Sequence, residues 1–120
     1  RLTHTNHCLH PDLLPVNNRF PELIQSYSRK ERVDTLLVDS NPRIEQHSNA
    51  GPAHLEPIKA ALRDHDGHPR SICRHPNDDP ATGFWTTVFS VIIEPGERRM
   101  HVTRGTPCDR PYETYTMTPR

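Results

Sequence analysis

Histidine and cysteine are the residues through which this sequence could do chemistry. Nine histidines and three cysteines occur in 120 residues. His4, His7 and His10 surround Cys8; His54, His65, His68 and His75 surround Cys73; His47, His101 and Cys108 stand apart. Imidazole and thiolate are metal ligands and, in the right company, a base and a nucleophile. Zinc sites legible in sequence show two close ligand pairs, such as C-x2-C followed by H-x3–5-H. His4 and His7 form H-x2-H, but an extended chain sends side chains three apart to opposite faces. His65 and His68 straddle a predicted helix end and Gly67. Neither group carries a paired-ligand signature, so the spacing predicts no bound metal and no cofactor.

Other groups admit two readings each. Asn6, in a polar segment, could aim its amide NH2 at a developing oxyanion, or it could be a solvated strand-edge residue. Arg74 follows the apolar step Ile72-Cys73, and a guanidinium carried inward there needs a carboxylate partner. His65 and the carboxylates near it, Asp64 included, fit a metal site or a charge network, and equally the cap of a helix C-terminus, where His and Arg are favoured by the dipole. Cys8 could be a nucleophile, but a lone cysteine is more often a small buried apolar residue. Three cysteines far apart make no disulfide framework, which points to the cytoplasm or another reducing compartment. No G-x-S-x-G, P-loop or G-x-G-x-x-G is present.

The elements that must position these residues are sparse. Leu, Ile, Val and Phe make up 24 of the 120 residues, and prolines number 13, so the core is thin and irregular segments are expected. Fifteen basic residues balance fifteen acidic ones, which argues against a nucleic-acid partner and a polybasic membrane anchor. No apolar run approaches the ~20 residues of a membrane span. Residues 1–10 have strand-like composition, ended by Pro11, and residues 11–25 suggest a loop. Ser28 with Glu31 is a capping box, which predicts a helix from Ser28 to Asn41-Pro42. A second helix is predicted over 54–65, with Leu55, Ile58 and Leu62 on one face, Pro57 in its first turn and Gly67 just beyond its end. Residues 84–93 alternate with apolar residues on both faces, which predicts a strand buried on both. Glu94-Pro95-Gly96-Glu97 predicts a type II turn, leading to strands at 99–104 and 112–117. A strand covered on both faces needs layers that this thin chain does not offer, so the hairpin is expected to lean on further structure.

Taken in order, THTNHCLHPDL (3–13), a Ser/Arg-rich helix, LRDHDGHPRSICRHP (62–76), T-x-x-S-x-I-x-E-P (87–95) and HVTRGTPCDRPYETY (101–115) resemble the acyl-coenzyme A:6-aminopenicillanic acid acyltransferase (isopenicillin-N acyltransferase-like) family of cysteine N-terminal-nucleophile hydrolases. The resemblance spans Thr3 to Met117. It implies an α+β fold, part of an αββα sandwich, with antiparallel strands and two helices. It also implies autoprocessing that frees an N-terminal cysteine, whose thiolate attacks an acyl donor with its own α-amino group as base. None of the three cysteines here is N-terminal, so residues 1–120 correspond to the C-terminal portion of one such domain, expected to be inactive without the preceding nucleophile-bearing segment of the same precursor. By position, Asn6 resembles the oxyanion-stabilising asparagine, with His7 as its neighbour and Arg74 as a supporting arginine. The implied substrate is a small-molecule amide or acyl donor, acyl-CoA included. A histidine-rich metal-binding module and a non-catalytic relative kept for binding are the alternatives.

Overall fold

The chain is α+β in a computed structural model that describes residues 2–17, 24–46, 54–80 and 83–118. It divides into two compact units, Arg1–Ala61 and Leu62–Arg120.

In the first unit, residues 2–10 do not form the expected strand. Side chains hold the backbone there instead: Asn6 N donates to Ser26 Oγ (2.9 Å), Cys8 N donates to Asn17 Oδ1 (2.9 Å), and Asn17 Nδ2 donates to Cys8 O (3.0 Å). Asn17 thus pairs both backbone groups of Cys8 as a neighbouring strand would. The expected loop after Pro11 is helical at its start, with a 3-10 turn at Pro11–Leu13 and α1 at Leu14–Asn17. Pro11 and Pro15 fall in first turns, where the missing N–H loses no bond. Helix α2, Ile24–Gln46, begins before Ser28 and continues through Asn41-Pro42. Ser28 does not cap it; its Oγ donates to Gln25 O (3.3 Å), the back-bonding that accommodates a serine inside a helix. Pro42 removes one ladder donor without ending the helix, which is possible because the loss is confined to one turn. Residues 47–53 lie outside the described residues. Helix α3 is shorter than predicted, Glu56–Leu62, with Pro57 in its first turn.

Gly67 takes the left-handed conformation (φ 78°) in a turn closed by His68 N donating to His65 O (3.0 Å) and Arg70 N to Gly67 O (2.8 Å). A Cβ there would meet nothing within 4 Å, so the penalty for adding one is backbone strain alone. Gly67→Ala is expected to lower stability by about 1 kcal/mol, as read from urea unfolding; unchanged stability would mean that the turn relaxes to φ < 0.

The second unit carries one antiparallel sheet of order β1-β2-β3, with β1 Phe89–Glu94, β2 Arg99–Arg104 and β3 Glu113–Thr116. Glu94 pairs with Arg99, Ile92 with His101, and Ser90 with Thr103. The chain reverses where Pro95-Gly96 predicts, but not in a type II turn. Positive φ falls on Arg98 (53°) rather than Gly96, as Glu97 N and Arg98 N donate to Glu94 O and Pro95 O. Four residues lie between the paired Glu94 and Arg99, and loops of that length favour type I geometry. Residues 84–88 are not strand.

The expected burial on both faces is not found. Ser90, Ile92 and Glu94 are buried, while Phe89, Val91 and Ile93 are exposed. Opposite Ile93 stands Met100, and opposite Met100 stands Tyr115, both exposed as well. The covered face is the polar one. Glu94 and His101 are hydrogen-bonded within it (Oε2···Nε2 2.6 Å), with Arg99 Nε 3.2 Å from the same oxygen. Ser90 N donates to the buried Thr103 Oγ1 (2.9 Å).

Candidate functional site

In the first unit, the candidate residues Asn6 and His7 sit in the irregular opening segment over the start of α2. Asn6 is exposed, and its Oδ1 accepts from Arg29 Nη2 (3.4 Å). A guanidinium only donates, so the oxygen must face Arg29 and the NH2 must point away from it. His7 is buried, stacked on Tyr27 (centroids 4.1 Å apart), with Nδ1 2.9 Å from both Thr5 Oγ1 and Ser26 Oγ. It forms one wall of a groove of about 630 Å³ that continues past Lys30, Glu31 and Asp34 to Val38.

Burial, and then the nearby His4, Lys30 and Arg29, pull the His7 ring below its ordinary pKa of 6.5. The folded state therefore favours the neutral ring, and between the two pKa values the unfolded chain binds more protons. The stability that His7 contributes is complete above pH 6.5 and declines as pH falls below it. A proton NMR titration should place His7 below 6.5; a His7 midpoint at or above 6.5 would overturn this picture of its surroundings.

In the second unit, Arg74 is buried with its guanidinium over the Trp85 ring (5.5 Å to the centroid). Its backbone is fixed on both sides: its N–H donates to Thr87 Oγ1 (3.0 Å) and its carbonyl accepts from Thr87 N (3.0 Å). That bridge anchors the segment Cys73-Arg74-His75 beside residues 86–87. Asp64 works from the other side, its carbonyl accepting from Cys73 N (3.0 Å). The residue after it, His65, is thereby brought to the same place.

Four donor atoms meet there. Nε2 of His65 and Nε2 of His75 are 3.0 Å apart, Cys73 Sγ and Cys108 Sγ 3.6 Å, Cys108 Sγ and His75 Nε2 3.2 Å, and Cys73 Sγ and His75 Nε2 3.9 Å. One ligand atom from each of the four lies within 4.8 Å of every other. Cys73 is fully buried, His75 half-buried, and His65 and Cys108 exposed. Cys108 is carried in by a turn in which Arg110 N donates to Thr106 O (3.1 Å) and Thr106 Oγ1 donates to Asp109 Oδ1. Arg63 Nε donates to Pro107 O (2.9 Å) and ties that turn to the segment that leads into His65. Burial, and then hydrogen bonding to Cys108, push the Cys73 thiol up to about 11. Left to itself it is a protonated thiol at neutral pH, not a nucleophile.

The sequence names His65, Cys73 and His75 as ligand-capable but does not connect Cys108 to them; the structure brings all four together and leaves His68 out. Asn17 and Ser26, which hold the opening segment, carry no sequence signal beyond being polar. No helix among the described residues is long and apolar enough to cross a membrane. No protein-family model matches the chain, and no curated protein matches it.

Proposed function

We propose that this chain supplies the oxyanion-stabilising portion of a cysteine N-terminal-nucleophile acyltransferase or amidohydrolase. The observation that carries the proposal is the way Asn6 is held. Ser26 pins its backbone N–H and Arg29 takes its amide oxygen, which leaves the NH2 as an oriented donor on an exposed edge. An amide donates to negative charge without competing as acid or base. The motifs around it resemble those of the acyltransferase family over nearly the whole chain.

The chemistry requires an N-terminal cysteine outside these residues, because Cys8, Cys73 and Cys108 are internal. Its thiol proton passes to its own α-amino group, and the sulfur attacks the acyl carbonyl of an amide or thioester. The negative charge that forms on the carbonyl oxygen is met by the Asn6 NH2. Collapse expels the amine or thiol leaving group, which takes the proton from the α-ammonium. The acyl-cysteine then passes its acyl group to an amine or to water. Acyl-CoA fits as a donor substrate, with no cofactor needed. His7, neutral and buried, holds the segment rather than moving protons. Arg74 is assigned a supporting role within its own unit.

The exposed apolar face of Phe89, Val91, Ile93 and Met100 also supports the proposal. Such a face is expected to pack on another layer, as a sheet does inside an αββα sandwich. Incubating the complete precursor product with an acyl thioester and measuring intact mass tests the chemistry. One acyl adduct on an N-terminal cysteine is expected; no adduct, or an adduct confined to Cys8, Cys73 or Cys108, would overturn it.

A further inference from the structure

We propose that His65, Cys73, His75 and Cys108 bind a zinc ion in a closed, structural centre within the second unit. This assignment is independent of the acyl-transfer chemistry.

The donor set is the first ground. Two imidazole nitrogens and two sulfurs are a standard zinc complement and suit no hard cation such as magnesium or calcium. Geometry is the second. With Zn–S near 2.3 Å and Zn–N near 2.05 Å, the edges of a tetrahedron are about 3.8 Å for S···S, about 3.6 Å for S···N and about 3.3 Å for N···N. The corresponding separations are 3.6 Å for Cys73–Cys108, 3.2 and 3.9 Å for His75 to the two sulfurs, and 3.0 Å for His65–His75. Each of these four lies within half an ångström of a tetrahedral edge, and the remaining two, from His65 to the sulfurs, are within 4.8 Å, so side-chain rotation can draw the four ligands onto one ion. A disulfide would explain the cysteines but not the imidazoles, and its sulfurs would stand near 2.05 Å apart.

The third ground is what surrounds the four. The backbone around each ligand is held by hydrogen bonds made elsewhere: His65 O accepts from His68 N, Cys73 N donates to Asp64 O, the Cys73–His75 segment is held by Thr87, and the Cys108 turn by Thr106 and Arg63. The positions are therefore set before any ion arrives. Four protein ligands leave no open coordination position, which marks the centre as structural rather than catalytic. Binding replaces the two thiol protons, which leave to solvent, and the two neutral imidazoles complete a centre of zero net charge.

The test is metal content and cobalt spectroscopy on the full 120-residue chain. Zinc-replete protein, dialysed against metal-free buffer, is expected to hold one zinc per chain by elemental analysis. Cobalt(II) titrated into apoprotein should give the intense visible bands of tetrahedral coordination and a sulfur-to-cobalt charge-transfer band. Cys108→Ser and His65→Gln should each weaken zinc binding by at least about 100-fold. Cys8→Ser and His68→Gln, which lie outside the four, should leave metal content and spectrum unchanged. Sub-stoichiometric zinc with no tetrahedral cobalt spectrum would overturn the assignment. So would a chain mass two hydrogens short with Cys73 and Cys108 joined, or a spectrum that disappears with Cys8 or His68. The titration of the unaltered chain decides the matter even if a ligand variant does not fold.

Discussion

Asn6→Ala, made in the complete protein, is expected to slow turnover by about 100- to 1000-fold, equivalent to about 2.7–4 kcal/mol of transition-state stabilisation. The loss should fall on kcat more than on KM, because the donor meets a charge that exists only once sulfur has attacked. Folding should survive the change. The anchor of this segment is the Asn6 backbone N–H on Ser26 Oγ, which alanine keeps, and the side chain is exposed. Asn6→Asp should be worse than alanine, since a carboxylate placed beside Arg29 would present charge of the wrong sign to the oxyanion. Arg29→Ala offers a graded comparison: it frees the Asn6 amide to rotate and should cost turnover less than Asn6→Ala. Steady-state kinetics with an acyl thioester and an amide substrate measure all three. Near-normal turnover in Asn6→Ala would mean that the residue is a surface feature of the opening segment.

Removing zinc with a strong chelator is expected to destabilise the second unit by about 4 kcal/mol if free zinc beforehand stands about 1,000-fold above its Kd. For a unit of this size that corresponds to a fall in Tm of roughly 15–30 °C. So large an effect is expected because the unit has little else. Cys73 and Ile92 are its buried hydrophobic residues among those described, and the covered face of its sheet is lined by Ser90, Glu94, His101 and Thr103. Zinc would tie the loop after α3, the Cys73–His75 segment and the Cys108 turn into one closed network, replacing a missing apolar core. Calorimetry before and after chelation, then after zinc is restored, measures it. A midpoint unmoved by chelation would show that the centre carries no structural weight.

Features governed by local sterics and hydrogen bonding were legible in the residue order alone. That order located the β1–β2 reversal at Pro95-Gly96, the helix beginning around Pro57, the left-handed Gly67 and the last strand near Tyr112, because proline and glycine restrict or free φ whatever surrounds them. Features that depend on distant partners were not legible. Nothing in residues 2–10 reveals that Ser26 and Asn17 will satisfy their backbone and keep them out of a sheet. Nothing in the alternation of residues 84–93 reveals that the polar side of β1 is the covered one, because alternation separates two faces without saying which is inward. The candidate oxyanion donor could be found from its motif, but its orientation rests on Arg29, 23 residues away. The His/Cys cluster is the furthest case. Its ligands come from positions 65, 73, 75 and 108, and the last joins His75 across 33 residues. A spacing rule finds ligands that share a turn. These four meet because Asp64, Thr87 and Arg63 bind distant backbone atoms, and only the folded chain brings those atoms within reach.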